Sequence, residues 1–101
     1  MSKTNSNPSL EYLIRGFMTL ENAEECRNFL FDLCTESELA EMSRRLQAAK
    51  MLKGGMIYTE IAERTGLSTA TISRVNRCLK YNDQSGYDIV LDRLAKGDRR
   101  G

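Results

Sequence analysis

Ala70, Ser73, Arg74 and Arg77 recur at the i, i+3, i+4, i+7 spacing of a single helical stripe, and that stripe is small, hydroxylic and basic. Such a face suits recognition of a polyanion rather than the making of bonds. Arg74 and Arg77 can reach guanine or phosphate, and Lys80 is placed to meet a phosphate. Thr69, Ala70, Thr71 and Ser73 are short enough to let a helix backbone approach base edges. Their methyl and hydroxyl groups then meet a thymine methyl or a base acceptor. No carboxylate occurs from Arg64 to Asn82, so phosphate is the natural counterpart of this surface. The plainer reading, an αα-hairpin with a solvated basic face, has to explain the agreement of apolar set, turn glycine, cap and charge sign, which is the weaker position.

The elements that hold this stripe are legible from the same segment. Thr59 to Arg64 reads as a short helix with Ile61 and Ala62 turned inward, Ala62 lying where a second helix would approach most closely. Gly66 accepts a positive φ at little cost and closes that helix. Leu67 plugs the corner, and Ser68 is placed to accept a hydrogen bond from an orphaned backbone N–H of the next helix. That helix starts at Thr69 and turns Ile72, Val75 and Leu79 inward. The layout, over about residues 58–80, is a helix-turn-helix, a motif that holds one helix out to enter the DNA major groove. Thr59 and Ser68, at the openings of its two helices, complete the expected DNA-facing set.

Charge is distributed to match. The formal net charge is only +1, but residues 1–42 sum to −5, residues 43–80 to +6 and residues 81–101 to zero. The positive field is thus localised where the motif lies. At 101 residues the chain has room for one domain. Cys26, Cys34 and Cys78 form no CxxC pair, and there is no histidine, so the usual zinc ligand sets cannot be assembled and no metal is expected. Reduced thiols, no signal-like segment and no long apolar run point to a soluble cytoplasmic protein without a membrane partner. No nucleophile with its base and no glycine-rich phosphate loop is visible, so no catalytic residue is assigned and the chain is not expected to be an enzyme.

Along the rest of the chain, Met1 to Pro8 reads as a disordered tail. Pro8 fits the first turn of a helix with Leu10, Leu13, Ile14 and Phe17 on one stripe. A second helix from about Asn22 carries Cys26, Phe29, Leu30 and Leu33 on one face, and Phe31 and Cys34 extend its apolar surface around the cylinder. A second subunit would supply the cover such a helix needs. Thr35 with Glu38 forms a capping box for a long third helix, with Leu39, Met42, Leu46 and Ala49 inward, stopped by Gly54-Gly55. After the motif, Asn82 to Gly86 is turn-rich. A last helix then presents Tyr87, Val90, Leu91 and Leu94, and residues 96–101 read as a frayed tail. The expectation is a single all-α, six-helix domain over residues 9–95.

The ordered run Leu33-Cys34-Thr35, Arg44-Arg45-Leu46, Met51-Leu52-Lys53-Gly54, Gly66 through Arg74 and Leu79-Lys80 resembles the Trp repressor superfamily, in particular its small Trp-repressor-like branch in Gram-positive bacteria. Ala70-Thr71-Ile72-Ser73-Arg74 is its most specific part. The resemblance implies an intertwined homodimer, with Leu13, Phe17, Phe29, Leu30 and Phe31 at the interface. By two-fold symmetry it would read two half-sites of a palindromic double-stranded operator. It further implies a transcriptional regulator acting as a repressor, nucleoid-associated when bound. In the Trp repressor two arginines flank the bound indole; the matching positions here, Arg44 and Arg74, are both arginine. The repressor's following glycine and serine are replaced by Val75 and Cys78, which disfavours tryptophan as co-repressor and leaves no cofactor expected. The competing reading is a helical dimer serving as a protein-interaction module, with the helix-turn-helix as scaffold. It would call for apolar or aromatic anchors on the outer stripe.

Overall fold

Local sequence signals start or stop most helices of the computed structural model, which describes residues 7–81 and 85–100. Six helices follow in order: α1 (Pro8–Phe17), α2 (Ala23–Leu33), α3 (Glu36–Lys53), α4 (Tyr58–Thr65), α5 (Thr69–Tyr81) and α6 (Gly86–Arg100). No strand occurs among the described residues. Asn7 caps α1, its Oδ1 accepting from the Ser9 N–H at 2.9 Å, and Pro8 occupies the first turn, where a missing N–H costs nothing. Asn22 caps α2 through the Glu25 N–H at 2.9 Å. The capping box of α3 is reciprocal: the Thr35 N–H donates to Glu38 Oε1 at 2.8 Å and the Glu38 N–H to Thr35 Oγ1 at 3.1 Å. Gly55, at φ +89°, ends that helix while the Met56 N–H reaches back to the Met51 carbonyl at 3.0 Å.

The chain divides into two compact units, residues 1–39 and 40–101. In the first unit the Phe17 and Phe29 rings meet edge to face, 5.1 Å apart at 74°, a geometry favoured by the aromatic quadrupole. Leu13, Phe17, Phe29 and Leu30 are half-buried, while Phe31 is 58 % exposed. Leu10, Tyr12, Ile14, Met18 and Leu33 are exposed as well.

The second unit has a closed core of Ala48, Ile61, Leu67 and Ile72, against which Met51, Leu52, Met56, Tyr58 and Ala62 pack. The inward face of α3 differs from the expected one. Ala49 is wholly buried as expected, but Met42 is exposed and Ala48 is wholly buried instead, its small side chain packed with Ile61, Leu67 and Ile72. The last helix runs to Arg100, past residue 95, with a Lys96–Asp92 pair at 3.3 Å supporting its continuation at i, i+4 spacing. Ser85 caps it, accepting from the Asp88 N–H at 3.1 Å and donating to Asp88 Oδ2 at 2.9 Å. Of the turn expected at 82–86, residues 82–84 lie outside the described residues, as do 1–6 of the expected N-terminal tail and Gly101. No helix among the described residues is long and apolar enough to cross a membrane.

Candidate nucleic-acid interface

The turn between α4 and α5 determines where the basic helix is presented. Gly66 is left-handed at φ +77°, and its N–H returns to the Ala62 carbonyl at 2.8 Å. A residue with a Cβ would be strained in that conformation by about 1–2 kcal/mol. Leu67 follows and is buried in the core. Ser68 then caps α5, its Oγ accepting from the Thr71 N–H at 3.1 Å and donating to the Thr71 hydroxyl at 3.1 Å. Ile72 is fully buried and Val75 is 3 % exposed, with Leu79 half-buried behind them. That inward face turns Ala70, Arg74 and Arg77 to solvent.

The expected DNA-facing residues lie on α5 and its cap Ser68, except Thr59, which is in the first turn of α4. Thr59, Ser68, Thr69, Ala70, Arg74, Arg77 and Lys80 are exposed, and Thr71 and Ser73 are half-buried. Of these, the Thr71 oxygen is already engaged by Ser68, which leaves its methyl and its own O–H for outside contacts.

Electrostatics sharpen the contrast between neighbouring cations. Arg64 is paired with Glu60 at 3.1 Å, Arg44 with Glu41 at 3.4 Å and Arg45 with Glu41 at 3.3 Å. Arg74, Arg77 and Lys80 make no ion pair among the described residues, so their charge stands uncompensated on the outer face of α5. Exposed pairs contribute little to stability, yet they cancel local field, as they do at Arg44, Arg45 and Arg64 but not on the outer face of α5.

The residues expected around a ligand lie in differing surroundings. Val75 is buried, and Arg44 is held by Glu41 on the surface. Cys78 lines a shallow hollow of about 510 Å³ with Leu46, Ser85, Gly86, Tyr87 and Val90, a set that excludes Arg44, Arg74 and Val75. Burial raises the Tyr87 phenol above its ordinary range, aided by Cys78 and opposed by the positive charges of Arg45 and Arg74. A hydrogen bond from Lys53, then one from Ser85, holds the Asp88 carboxyl below the usual carboxylate range.

Two features escaped sequence reasoning. The Lys53–Asp88 pair joins the end of α3 to the start of α6. The Ser85-to-Asp88 spacing is a capping signature that could have signalled its α6 half. Thr65 is buried beneath the motif's turn and bonded on two sides; the sequence carries no mark of that role beyond a hydroxyl residue beside Gly66.

A family model for the Trp repressor protein matches residues 8–95. The chain belongs to the Trp repressor family. The match spans almost all of both compact units. Among relatives, the uncharacterized YerC protein of Bacillus subtilis (strain 168) is 45 % identical over 85 residues, covering 84 % of this chain and 81 % of that one. A TrpR-like protein from Eubacterium eligens superposes with a TM-score of 0.80 at 44 % identity, over 88 % of this chain and 91 % of that one. A candidate Trp repressor from Staphylococcus aureus gives a TM-score of 0.80 at 46 % identity, over 89 % of both chains. The six-helix all-α fold is therefore that of the Trp-repressor-like proteins. Members of this family are helix-turn-helix regulators that bind DNA, not enzymes.

Proposed function

We propose that this Trp-repressor-like protein is a sequence-specific, double-stranded DNA-binding transcriptional repressor that works as a homodimer in the bacterial cytoplasm, bound to the nucleoid through a palindromic operator. The observation that carries this reading is the outer face of α5, where a capped helix N-terminus with small side chains is followed by three cations free of ion pairs among the described residues. Thr69, Ala70, Thr71 and Ser73 approach the bases of the major groove. Arg74 and Arg77 reach guanine or phosphate, and Ser68, Thr59 and Lys80 lie against the backbone. None of the described large apolar residues exposed to solvent belongs to α5, which favours a nucleic acid over a protein as the partner of this face.

Self-association follows from the N-terminal helices. Leu13, Phe17, Phe29, Leu30 and Phe31 present an apolar surface that a second copy covers, and two-fold symmetry then sets two reading helices against two half-sites. Tryptophan is not the co-repressor in this reading. The branched Val75 occupies interior space, and Arg44 is engaged by Glu41.

Selecting bound fragments from a random duplex pool, with and without added tryptophan, tests partner and ligand together. The expected outcome is a palindromic consensus that is the same in both arms. R74A/R77A should lose roughly tenfold or more in affinity for that consensus while retaining helicity. No enrichment by the wild-type chain, or unchanged affinity of the double variant, overturns the assignment.

A further inference from the structure

We propose that Thr65 is a positioning residue for DNA recognition, a buried hydroxyl that fixes the turn from which the reading helix departs; the proposal rests on the reading of α5 as the DNA-contacting helix. Thr65 ends α4 and is 7 % exposed. Its Oγ1 donates to the Ile61 carbonyl at 2.8 Å and accepts from the Leu67 N–H at 3.2 Å, and both bonds are buried. The second bond crosses Gly66, whose left-handed conformation is the sharpest feature of the turn. The hydroxyl thus ties the last turn of α4 to the first residue beyond the bend.

Leu67 transmits the constraint. Its side chain belongs to the core with Ala48, Ile61 and Ile72, and its neighbour Ser68 is the cap of α5. Fixing the Leu67 backbone therefore fixes both the plug that seats the motif and the origin of the reading helix. With Thr65 made apolar, the Leu67 N–H is left buried and unpaired, a costly state that the turn relieves by moving outward. Valine keeps the branched shape and removes the hydroxyl, so it isolates this effect from a change of volume.

Because base edges are read at hydrogen-bond tolerances, while phosphates tolerate small displacements, a shifted α5 origin costs selective binding before it costs affinity for DNA in general. Acting through the position of other residues, Thr65 makes no DNA contact of its own.

The test uses the full chain as wild type, T65V and T65S. The probes are the duplex enriched from a random pool by wild type and an unrelated duplex of equal length. T65V should keep wild-type helicity, lose about tenfold in affinity for the enriched duplex and bind the unrelated duplex unchanged. T65S should return to within about twofold of wild type, because it restores the hydroxyl. In DNA-free protein the Leu67 amide should exchange about tenfold faster in T65V than in wild type and T65S. Should valine prevent folding, T65C supplies the comparison with a weak sulfur partner of similar size, and its selective loss is expected to be partial. Undiminished selectivity in T65V, failure of T65S to rescue, or unchanged Leu67 exchange overturns the proposal. If wild type itself discriminates between no duplexes, it is the DNA reading that falls, and accelerated Leu67 exchange in T65V identifies that outcome as separate from an error about the turn.

Discussion

In residues 40–101, Ala48, Ala49, Ile61 and Ile72 are wholly removed from water, whereas among the described residues of the 1–39 unit none is buried. Both regions are helical, and both carry apolar stripes. The difference lies in what each stripe meets. Around the helix-turn-helix, three short-range features bring α4 and α5 together: the Gly66 bend, the Leu67 plug and the small Ala62. The core then closes within that unit. In the N-terminal unit, Phe17 and Phe29 find each other, but Tyr12, Met18, Phe31 and Leu33 stay exposed, more apolar surface than a settled monomer usually leaves in so short a segment. One region is folded around its own contents, and the other leaves much of its apolar surface open. Under the proposed function this division is useful: a DNA-reading head gains from a core of its own, and a surface meant for a second copy is incomplete alone.

The strongest way to break this comparison is to empty the helix-turn-helix core. Ile72→Ala should lower unfolding free energy by about 2–5 kcal/mol, measured by urea denaturation. A loss under about 1 kcal/mol would mean that this core is not the one holding the unit together. Next in size is Phe31→Glu, which places a charge on the surface proposed to meet a second copy. Sedimentation should report loss of the dimer, a weakening of about 2 kcal/mol or more, while amides near Ile61 and Ile72 remain protected from exchange. A stable dimer carrying that change would remove α2 from the proposed interface.

The smallest effect concerns the Lys53–Asp88 link within the second unit. Asp88 has a lowered pKa in the folded chain, so its ionised form is favoured by folding. The resulting stabilisation is complete above the ordinary carboxylate range and is lost as pH falls through the lowered value. Asp88→Asn should therefore be less stable than wild type near neutrality, and the two melting curves should converge in acid. A gap that persists at low pH would assign the difference to the Ser85 cap rather than to charge.

Much of the candidate site was legible because its determinants are local. Gly66, Ser68, Thr35 with Glu38, and Gly54-Gly55 act within four residues of where they stand, so residue type and spacing suffice. The inward set Ile72 and Val75 follows from helical period alone. Misreadings arose where the partner lies far along the chain. Met42 matches the period of α3 as well as Ala48 does, and only the packing around Ile61 decides that the small residue goes inside. Asp88 meets Lys53 across 35 positions, and no local pattern announces that pair. The last helix runs to Arg100, past the end of its apolar stripe at Leu94, and one polar i, i+4 pair, Asp92 with Lys96, bridges that point.

By itself the sequence determined the helical elements, their caps, the bend at Gly66 and the carboxylate-free face of α5, because each depends on backbone preference, periodicity or charge within a few residues. Only the tertiary structure decided that Thr65 turns its hydroxyl under the bend, that Val75 fills interior space, and that the N-terminal helices finish without a buried residue. Those outcomes depend on which distant surfaces come into contact, and a closed core rewards that contact in a way that no single segment can specify.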